Sequence, residues 1–203
     1  MNVQRFAREL PQIDGSRFQD VLEAVPGLAA RNNLALVNLA ASCLEPGESY
    51  VEIGTFKGTS LIAAMRGNNG DFVAIDSFTM EGGSRETLET NLARFGLAGA
   101  TILEGDAFEL LRGGALGERR VGVWYYDAFH SYEAQLDGLR LAEPHLADEA
   151  VLIVDDSDWE QVGRATRDYL AGEPRASLLF EIEGKDHGAP DWWEGVHVLR
   201  FAR

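Results

Sequence analysis

The segment Tyr50-Val51-Glu52-Ile53-Gly54-Thr55-Phe56-Lys57-Gly58-Thr59-Ser60 is the strongest indication of architecture in this chain. Its apolar start is typical of a buried strand, its glycines indicate a tight turn, and a helical pattern follows Gly58. Gly54 permits a sharp bend because it has no Cβ, and Gly58 permits the first helical turn to lie close to a ligand. The unpaired N–H groups of Thr59 and Ser60 would face that ligand. The segment therefore predicts the nucleotide-binding turn of an α/β domain.

Short apolar segments alternate with helical patterns along the rest of the chain. The predicted strands are 50–53, 72–75, 101–103, 121–126, 150–154, 178–182 and 196–201, and the predicted helices are 18–25, 34–40, 58–65, 84–95, 108–112, 131–146 and 159–170. Such alternation predicts a parallel sheet with right-handed crossovers. The last two strands have only a loop rich in glycine between them, so they should pair antiparallel. We expect an α/β fold with a mostly parallel seven-stranded sheet, a C-terminal antiparallel hairpin and N-terminal helices.

Length and composition restrict the protein class. A chain of 203 residues that is 45% hydrophobic is sized for one domain, in which we expect a helical cap over residues 1–45 and an α/β core over residues 46–203. The formal net charge of -15 would repel a phosphate backbone, so no nucleic-acid partner is expected. The first twenty residues carry charges throughout, and no long apolar run exists. We therefore expect that the protein is not exported and does not span a membrane. The single Cys43 fits a reducing compartment, so we predict a cytoplasmic protein.

The glycine spacing of the turn favours one ligand class over another. A dinucleotide fingerprint needs glycine where Phe56 and Thr59 stand, and the Phe56 side chain would block a pyrophosphate. A nicotinamide-dependent oxidoreductase is therefore the less favoured alternative. The pattern Glu52-x-Gly54-x-x-x-Gly58 resembles motif I of the class I S-adenosylmethionine-dependent methyltransferases. The expected terminal hairpin resembles the same group, so we expect its Rossmann-like methyltransferase fold.

Acidic residues follow each predicted strand of the core after the first, at the sheet edge where open α/β proteins bind ligands. Asp76 could accept hydrogen bonds from both ribose hydroxyls. Asp106 could accept one from the adenine amino group, while the N–H of Ala107 serves a ring nitrogen. Any one acid could instead be solvated or cap the next helix. The residues expected to bind S-adenosylmethionine are Glu52, Gly54, Thr55, Gly58, Ser60, Asp76, Ser77, Asp106 and Ala107.

Three segments carry a more specific resemblance. Residues 52–60, 126–133 and 153–159 are similar to the metal-dependent class I O-methyltransferases, especially the macrocin and mycinamicin sugar methyltransferases. The resemblance implies that the three aspartates hold Mg²⁺ and that a histidine is the base; these residues are Asp127, Asp155 and Asp156, and His130.

Strand spacing supports a cation independently of the resemblance. Neighbouring strands lie about 4.8 Å apart, so carboxylates that end the fourth and fifth strands would repel each other without a cation. In the alternative interpretation Asp156 caps the next helix, Asp155 points elsewhere and no metal binds. The pair Asp155-Asp156 also differs from the Asp-Asn pair of the catechol-type branch, which argues against a catechol substrate.

The resemblance implies O-methylation of a hydroxyl group on a small molecule or a sugar, with His130 and Asp127 as the catalytic residues. A protein that binds S-adenosylmethionine without turnover is the alternative. A lid is expected from the N-terminal helices, the loop 80–83 or the loop 185–193. The apolar N-terminal helices would also allow a homodimer.

Overall fold

The alternation of strands and helices produces one seven-stranded sheet with helices on both faces. The computed structural model describes all residues from Met1 to Arg203. The helices are α1 (Val3–Glu9), α2 (Gln19–Ala24), α3 (Arg31–Ser42), α4 (Thr59–Met65), α5 (Arg85–Arg94), α6 (Ala107–Arg112), α7 (Tyr132–Ala142) and α8 (Glu160–Gly172). The strands are β1 (Glu48–Ile53), β2 (Asp71–Asp76), β3 (Thr101–Glu104), β4 (Arg120–Tyr126), β5 (Leu146–Asp155), β6 (Ala176–Ile182) and β7 (Val196–Ala202). None of the helices is both long enough and apolar enough to cross a membrane.

The strand order is β3-β2-β1-β4-β5-β7-β6. Strands β1 to β5 pair in parallel, and β7 pairs antiparallel with both β5 and β6. The expected fold class is therefore confirmed, including the antiparallel C-terminal pair. The order reverses between β1 and β4, and ligands of open α/β sheets bind beyond the carboxyl ends of the strands at such a switch point.

Alternation along the central strands divides the core into two layers. Tyr50 on β1 and Tyr125 on β4 belong to a cluster of 30 buried residues that packs against α1 to α5. Their neighbours Val51 and Tyr126 belong to a cluster of 20 buried residues that packs against α6, α7 and α8. Successive strand residues point to opposite faces, so one sheet fills both layers.

Three elements differ from the sequence prediction, and one of them is β5, which begins at Leu146 instead of at residue 150. Helix α1 was not predicted, although Val3, Phe6 and Leu10 are buried at helical spacing. The helix predicted over 131–146 was too long, since α7 ends at Ala142 and a short 3₁₀ turn over Glu143–His145 follows. Pro144 cannot continue an α-helical hydrogen-bond ladder, and β5 begins directly afterwards at Leu146.

Glu52 connects β1 to α4 through a fully buried carboxyl group. Its oxygens accept hydrogen bonds from the Tyr50 hydroxyl at 2.7 Å and the Ser60 hydroxyl at 2.8 Å. Burial raises the pKa of Glu52 to about 7, although these hydroxyl donors oppose the rise. The folded protein therefore holds a proton on Glu52 at pH values where the unfolded chain has released it.

We expect Gly138→Ala to destabilise the protein by about 1 to 3 kcal/mol, because α7 lies against β4 at this residue. A Cβ on Gly138 would stand 2.2 Å from Cε2 of Tyr126, whose ring is buried. Gly172→Ala is the matched control, since a Cβ there meets nothing within 4 Å. Urea unfolding followed by circular dichroism measures both variants. Equal stability of the two variants would contradict the packing argument.

We expect Glu52→Gln to change how stability depends on pH. The wild-type contribution from protonated Glu52 is present below the unfolded pKa of 4.5 and is lost as the pH rises through about 7. The glutamine variant has no such proton, so its stability relative to wild type should improve by on the order of 2 kcal/mol between pH 5 and pH 8. Urea unfolding of both proteins at the two pH values gives the difference. A relative stability that is constant with pH would refute the shifted pKa.

Candidate active site

The turn after β1 brings the carboxyl ends of β1, β2 and β4 together. Gly54 has φ +88°, and a Cβ on it would lie 1.8 Å from the carbonyl oxygen of Asp127. Its N–H donates to the Ile75 carbonyl at 2.9 Å, and the Asp127 N–H donates to the Ile53 carbonyl at 2.9 Å. Only glycine fits this position, because both the backbone conformation and the available space exclude a side chain.

A cavity of about 260 Å³ opens above these strand ends. Most of the residues that the sequence predicts as functional line it: Gly54, Thr55, Ser60, Asp76, Ser77, Ala107, Asp127, His130 and Asp156. The remaining predicted residues lie outside the lining: Glu52, Gly58, Asp106 and Asp155. The structure therefore gathers residues from five strand ends around one cavity, with the expected donor-binding turn at its side.

Asp76 holds two strained turns beside the cavity. Its Oδ2 accepts from the Phe56 N–H at 2.7 Å, and its Oδ1 accepts from the Phe78 N–H at 2.6 Å. Phe56 and Phe78 have φ values of +48° and +51°, which are uncommon for residues with a Cβ. Each Asp76 oxygen retains a further lone pair for a ligand hydroxyl. Strained backbone of this kind is typical of binding sites.

Asp106 and Ala107 lie in different environments in the structure. Asp106 is exposed and caps α6, because its side chain accepts from the Glu109 N–H at 2.9 Å. Ala107 is buried and lines the cavity. The capping interpretation of Asp106 that the sequence left open is therefore the geometry observed.

Three potential metal ligands meet at the other end of the cavity. One ligand atom from each of Asp127, His130 and Asp156 lies within 4.8 Å of the others. His130 Nε2 is 2.6 Å from Asp156 Oδ2. The other oxygen of Asp156, Oδ1, is buried and has no hydrogen-bond partner. Unpartnered buried oxygens are costly in proteins, so this atom indicates a missing partner.

Asp155 lies below this group and faces away from the cavity. Its carboxylate accepts from the hydroxyl of Tyr125, from Asn33 Nδ2 at 3.2 Å and from the Asp156 N–H at 3.1 Å. Sequence reasoning missed Tyr125 and Asn33 as members of the site. The available signals were a tyrosine two residues before Asp127 on a predicted strand, and an asparagine directly before the apolar run that begins at Leu34.

Burial dominates the electrostatics of the cluster. It raises the pKa of Asp127 well above its usual range, with further contributions from Asp155 and Asp156. Burial and the neighbouring Asp155 raise the pKa of Asp156 to about 8, and burial raises that of Asp155 to about 6. Burial lowers the pKa of His130. In this arrangement the imidazole is neutral and the carboxyl groups retain protons. A cation bound between the carboxyl groups would favour their ionised form instead.

Large apolar side chains surround the mouth of the cavity. Leu28, Met80 and Phe129 line it while remaining 57%, 55% and 48% exposed. Trp159 packs edge-on against the His130 ring at a centroid distance of 4.9 Å. Of the expected lids, the N-terminal segment and the loop near Met80 reach the lining, whereas loop 185–193 contributes no lining residue.

Comparisons with solved structures agree with this architecture. TomG, an O-methyltransferase of Streptomyces achromogenes involved in tomaymycin synthesis and solved with SAM, has a TM-score of 0.68 and 20% identity, covering 99% of this chain and 96% of its own. An O-methyltransferase from Bacillus cereus solved with SAH has a TM-score of 0.65 and 17% identity, covering 93% and 91%. Cofactor-bound Rv0187 from MTB has a TM-score of 0.67 and 21% identity, covering 93% and 88%. At these identities the likeness shows the fold.

No curated protein sequence matches the chain significantly. A family model described as a methyltransferase domain matches residues 51–157, from β1 to the turn after β5. This range is more than half of the chain, and it contains the Gly54 turn together with Asp127, His130 and Asp156. The protein therefore belongs to the methyltransferase domain family.

Proposed function

We propose that the protein is an S-adenosylmethionine-dependent O-methyltransferase that acts on a hydroxyl group of a small molecule and uses a divalent cation, Mg²⁺. The observation that carries this proposal is that one cavity joins the Gly54 turn to the group formed by Asp127, His130 and Asp156. Membership of a methyltransferase family removes the support for a nicotinamide-dependent reaction.

The donor is assigned to the half of the cavity that contains Asp76, Ser77 and Ala107. The free lone pairs of Asp76 suit the two ribose hydroxyls, and Gly54 allows the donor to lie close to the backbone. The reactive methyl group would then point toward Asp127 and His130. Glu52 and Gly58 support this half from outside the lining, through the hydroxyl bonds to Glu52 and the positive φ of Gly58.

The side chains present fit a hard divalent cation. Mg²⁺ is usually bound by one or two carboxylates and completes its octahedron with water or substrate oxygens. Asp127 and Asp156 would hold it, and the unpartnered Oδ1 of Asp156 is the atom best suited to it. When bound, the cation would make an acceptor hydroxyl more acidic. It would also compensate the repulsion between these buried carboxylates.

His130 is the proposed base. Its lowered pKa keeps the imidazole neutral near pH 7, so it can accept a proton. With Nε2–H donating to Asp156 Oδ2, the lone pair that receives the acceptor proton is on Nδ1, and Asp156 stabilises the resulting imidazolium. The acceptor oxygen then bonds to the methyl carbon as the carbon–sulfur bond breaks. The products are a methyl ether and S-adenosylhomocysteine.

We expect His130→Ala to lower methyl transfer by about 10²- to 10⁴-fold, the usual contribution of a positioned base. Because His130 lies at the acceptor end of the cavity, the affinity for S-adenosylmethionine should stay within a few fold of wild type. Transfer to a panel of hydroxylated acceptors measures the first quantity, and calorimetry measures the second. Asp148→Asn, a surface change 83% exposed at its side chain, serves as the control. Donor binding without transfer to any acceptor would favour a non-catalytic binding protein.

We expect a chelator to abolish turnover without abolishing donor binding, and added Mg²⁺ to restore it. The reason is that the proposed cation contacts Asp127 and Asp156 and has no part in holding the adenosyl group. Steady-state methyl transfer and calorimetric titration with S-adenosylmethionine measure the two effects. Unchanged turnover after exhaustive chelation would rule out the cation, and failure to bind the donor would rule out the whole proposal.

A further inference from the structure

A buried hydrogen-bond network lies directly beneath the acidic end of the cavity. The Trp193 N–H donates to Asn33 Oδ1 at 2.9 Å, and Asn33 Nδ2 donates to Asp155 Oδ1 at 3.2 Å. The Tyr125 hydroxyl donates to Asp155 Oδ2. Asn33, Tyr125 and Asp155 are 3%, 2% and 4% exposed, so water does not compete for these bonds. We call these three side chains the Asn33–Asp155–Tyr125 network.

The network controls the conformation of Asp156. Asp155 Oδ1 also accepts from the Asp156 N–H at 3.1 Å, and Asp156 has φ +55°, a conformation that residues with a Cβ rarely adopt. Such a conformation is strained and persists only where neighbours enforce it. The Asp155 carboxylate supplies that restraint. As a result, Asp156 faces the cavity while Asp155, its neighbour in sequence, does not.

Tyr125 extends the same restraint to Asp127. Its hydroxyl oxygen lies 3.3 Å from Asp127 Oδ2 as well as against Asp155 Oδ2. One hydroxyl between two carboxylates fixes their separation across β4 and β5. If Asp155 turned toward a cation, Asn33 Nδ2 would be left as a buried unpaired donor, and the Tyr125 hydroxyl would keep only its longer contact with Asp127 Oδ2.

We propose that Asp155 is a positioning residue that orients Asp156 and Asp127 and does not bind the cation, and that Asn33 holds Asp155 in this role. The inference rests on the proposed function for the cation, and it replaces the three-aspartate ligand set that the sequence resemblance implied. In this proposal Asn33 also links the acidic end of the cavity to the loop that contains Trp193, because it bonds both Asp155 and the Trp193 N–H.

A titration with Mn²⁺ as the cation, without donor or acceptor, tests the assignment. Asp155→Asn keeps the geometry for the hydrogen bonds, because its oxygen can accept from Asn33 and Asp156. It should bind Mn²⁺ within roughly tenfold of wild type, whereas Asp155→Ala should lose about 10- to 100-fold, as is usual when a group that orients a ligand is removed. Asp156→Asn should lose more than Asp155→Ala. If Asp155→Asn bound Mn²⁺ as weakly as Asp156→Asn does, the proposal would be overturned, because that result would show that Asp155 is a ligand.

Asn33→Ala provides a second test that leaves every carboxylate in place. It should weaken Mn²⁺ binding and accelerate hydrogen exchange at the Trp193 amide, which loses its acceptor. Asn32→Ala is the matched control, because Asn32 precedes Asn33 on α3 and its side chain has no hydrogen bond in the structure. If Asn33→Ala kept the Mn²⁺ affinity of wild type and the wild-type rate of hydrogen exchange at the Trp193 amide, the proposed role of Asn33 would be overturned.

Failure of the proposed function would give a different experimental result from failure of the positioning role of Asp155. If wild type binds S-adenosylmethionine but no Mn²⁺, the cation in the proposed function is wrong. The positioning role is then decided by hydrogen exchange at the Asp156 amide, which Asp155→Ala should accelerate and Asp155→Asn should preserve. Equal exchange in these two variants would overturn the positioning role itself. Thermal unfolding of each variant separates local effects from loss of the fold.

Discussion

The close approach of Gly54 to the Asp127 carbonyl is the contact on which the site depends. At this point β1 turns toward α4 while β4 ends beside it, and the backbones are so near that no Cβ fits. The contact places the turn after β1 and the acidic group around one cavity. Because both are fixed by strands of the same sheet, their separation is set by the sheet and not by flexible loops.

Burying carboxyl groups at this edge of the sheet costs stability. Hydrogen-bond donors offset this cost for some of the carboxyl groups and not for others. Glu52 and Asp155 have neighbouring donors for their oxygens, whereas Asp156 retains one oxygen with none. A purely structural carboxyl group has no reason to keep an unpaired buried oxygen. This contrast supports the proposal that Asp156, rather than Asp155, binds a partner outside the chain.

Much of the fold was predictable because it follows from local periodicity. Alternating apolar segments gave the strands, and the loop rich in glycine before β7 gave the antiparallel pair. The boundary between α7 and β5 was missed because an apolar helix end and a buried strand start look alike in sequence, and only Pro144 distinguishes them. Helix α1 was missed because its two buried residues, Val3 and Phe6, stand among charged and polar residues.

The candidate site was predictable to the level of which strand ends meet, because parallel strands place their carboxyl ends at one edge. The direction of each side chain was not predictable. Asp155 and Asp156 are adjacent and chemically identical, yet a single positive φ sends one into the cavity and the other into the core. What enforces that difference comes from α3 and β4, far away in sequence. Composition at the strand end therefore predicts an acidic site, whereas the partners of each acid decide whether it binds a ligand or holds its neighbour.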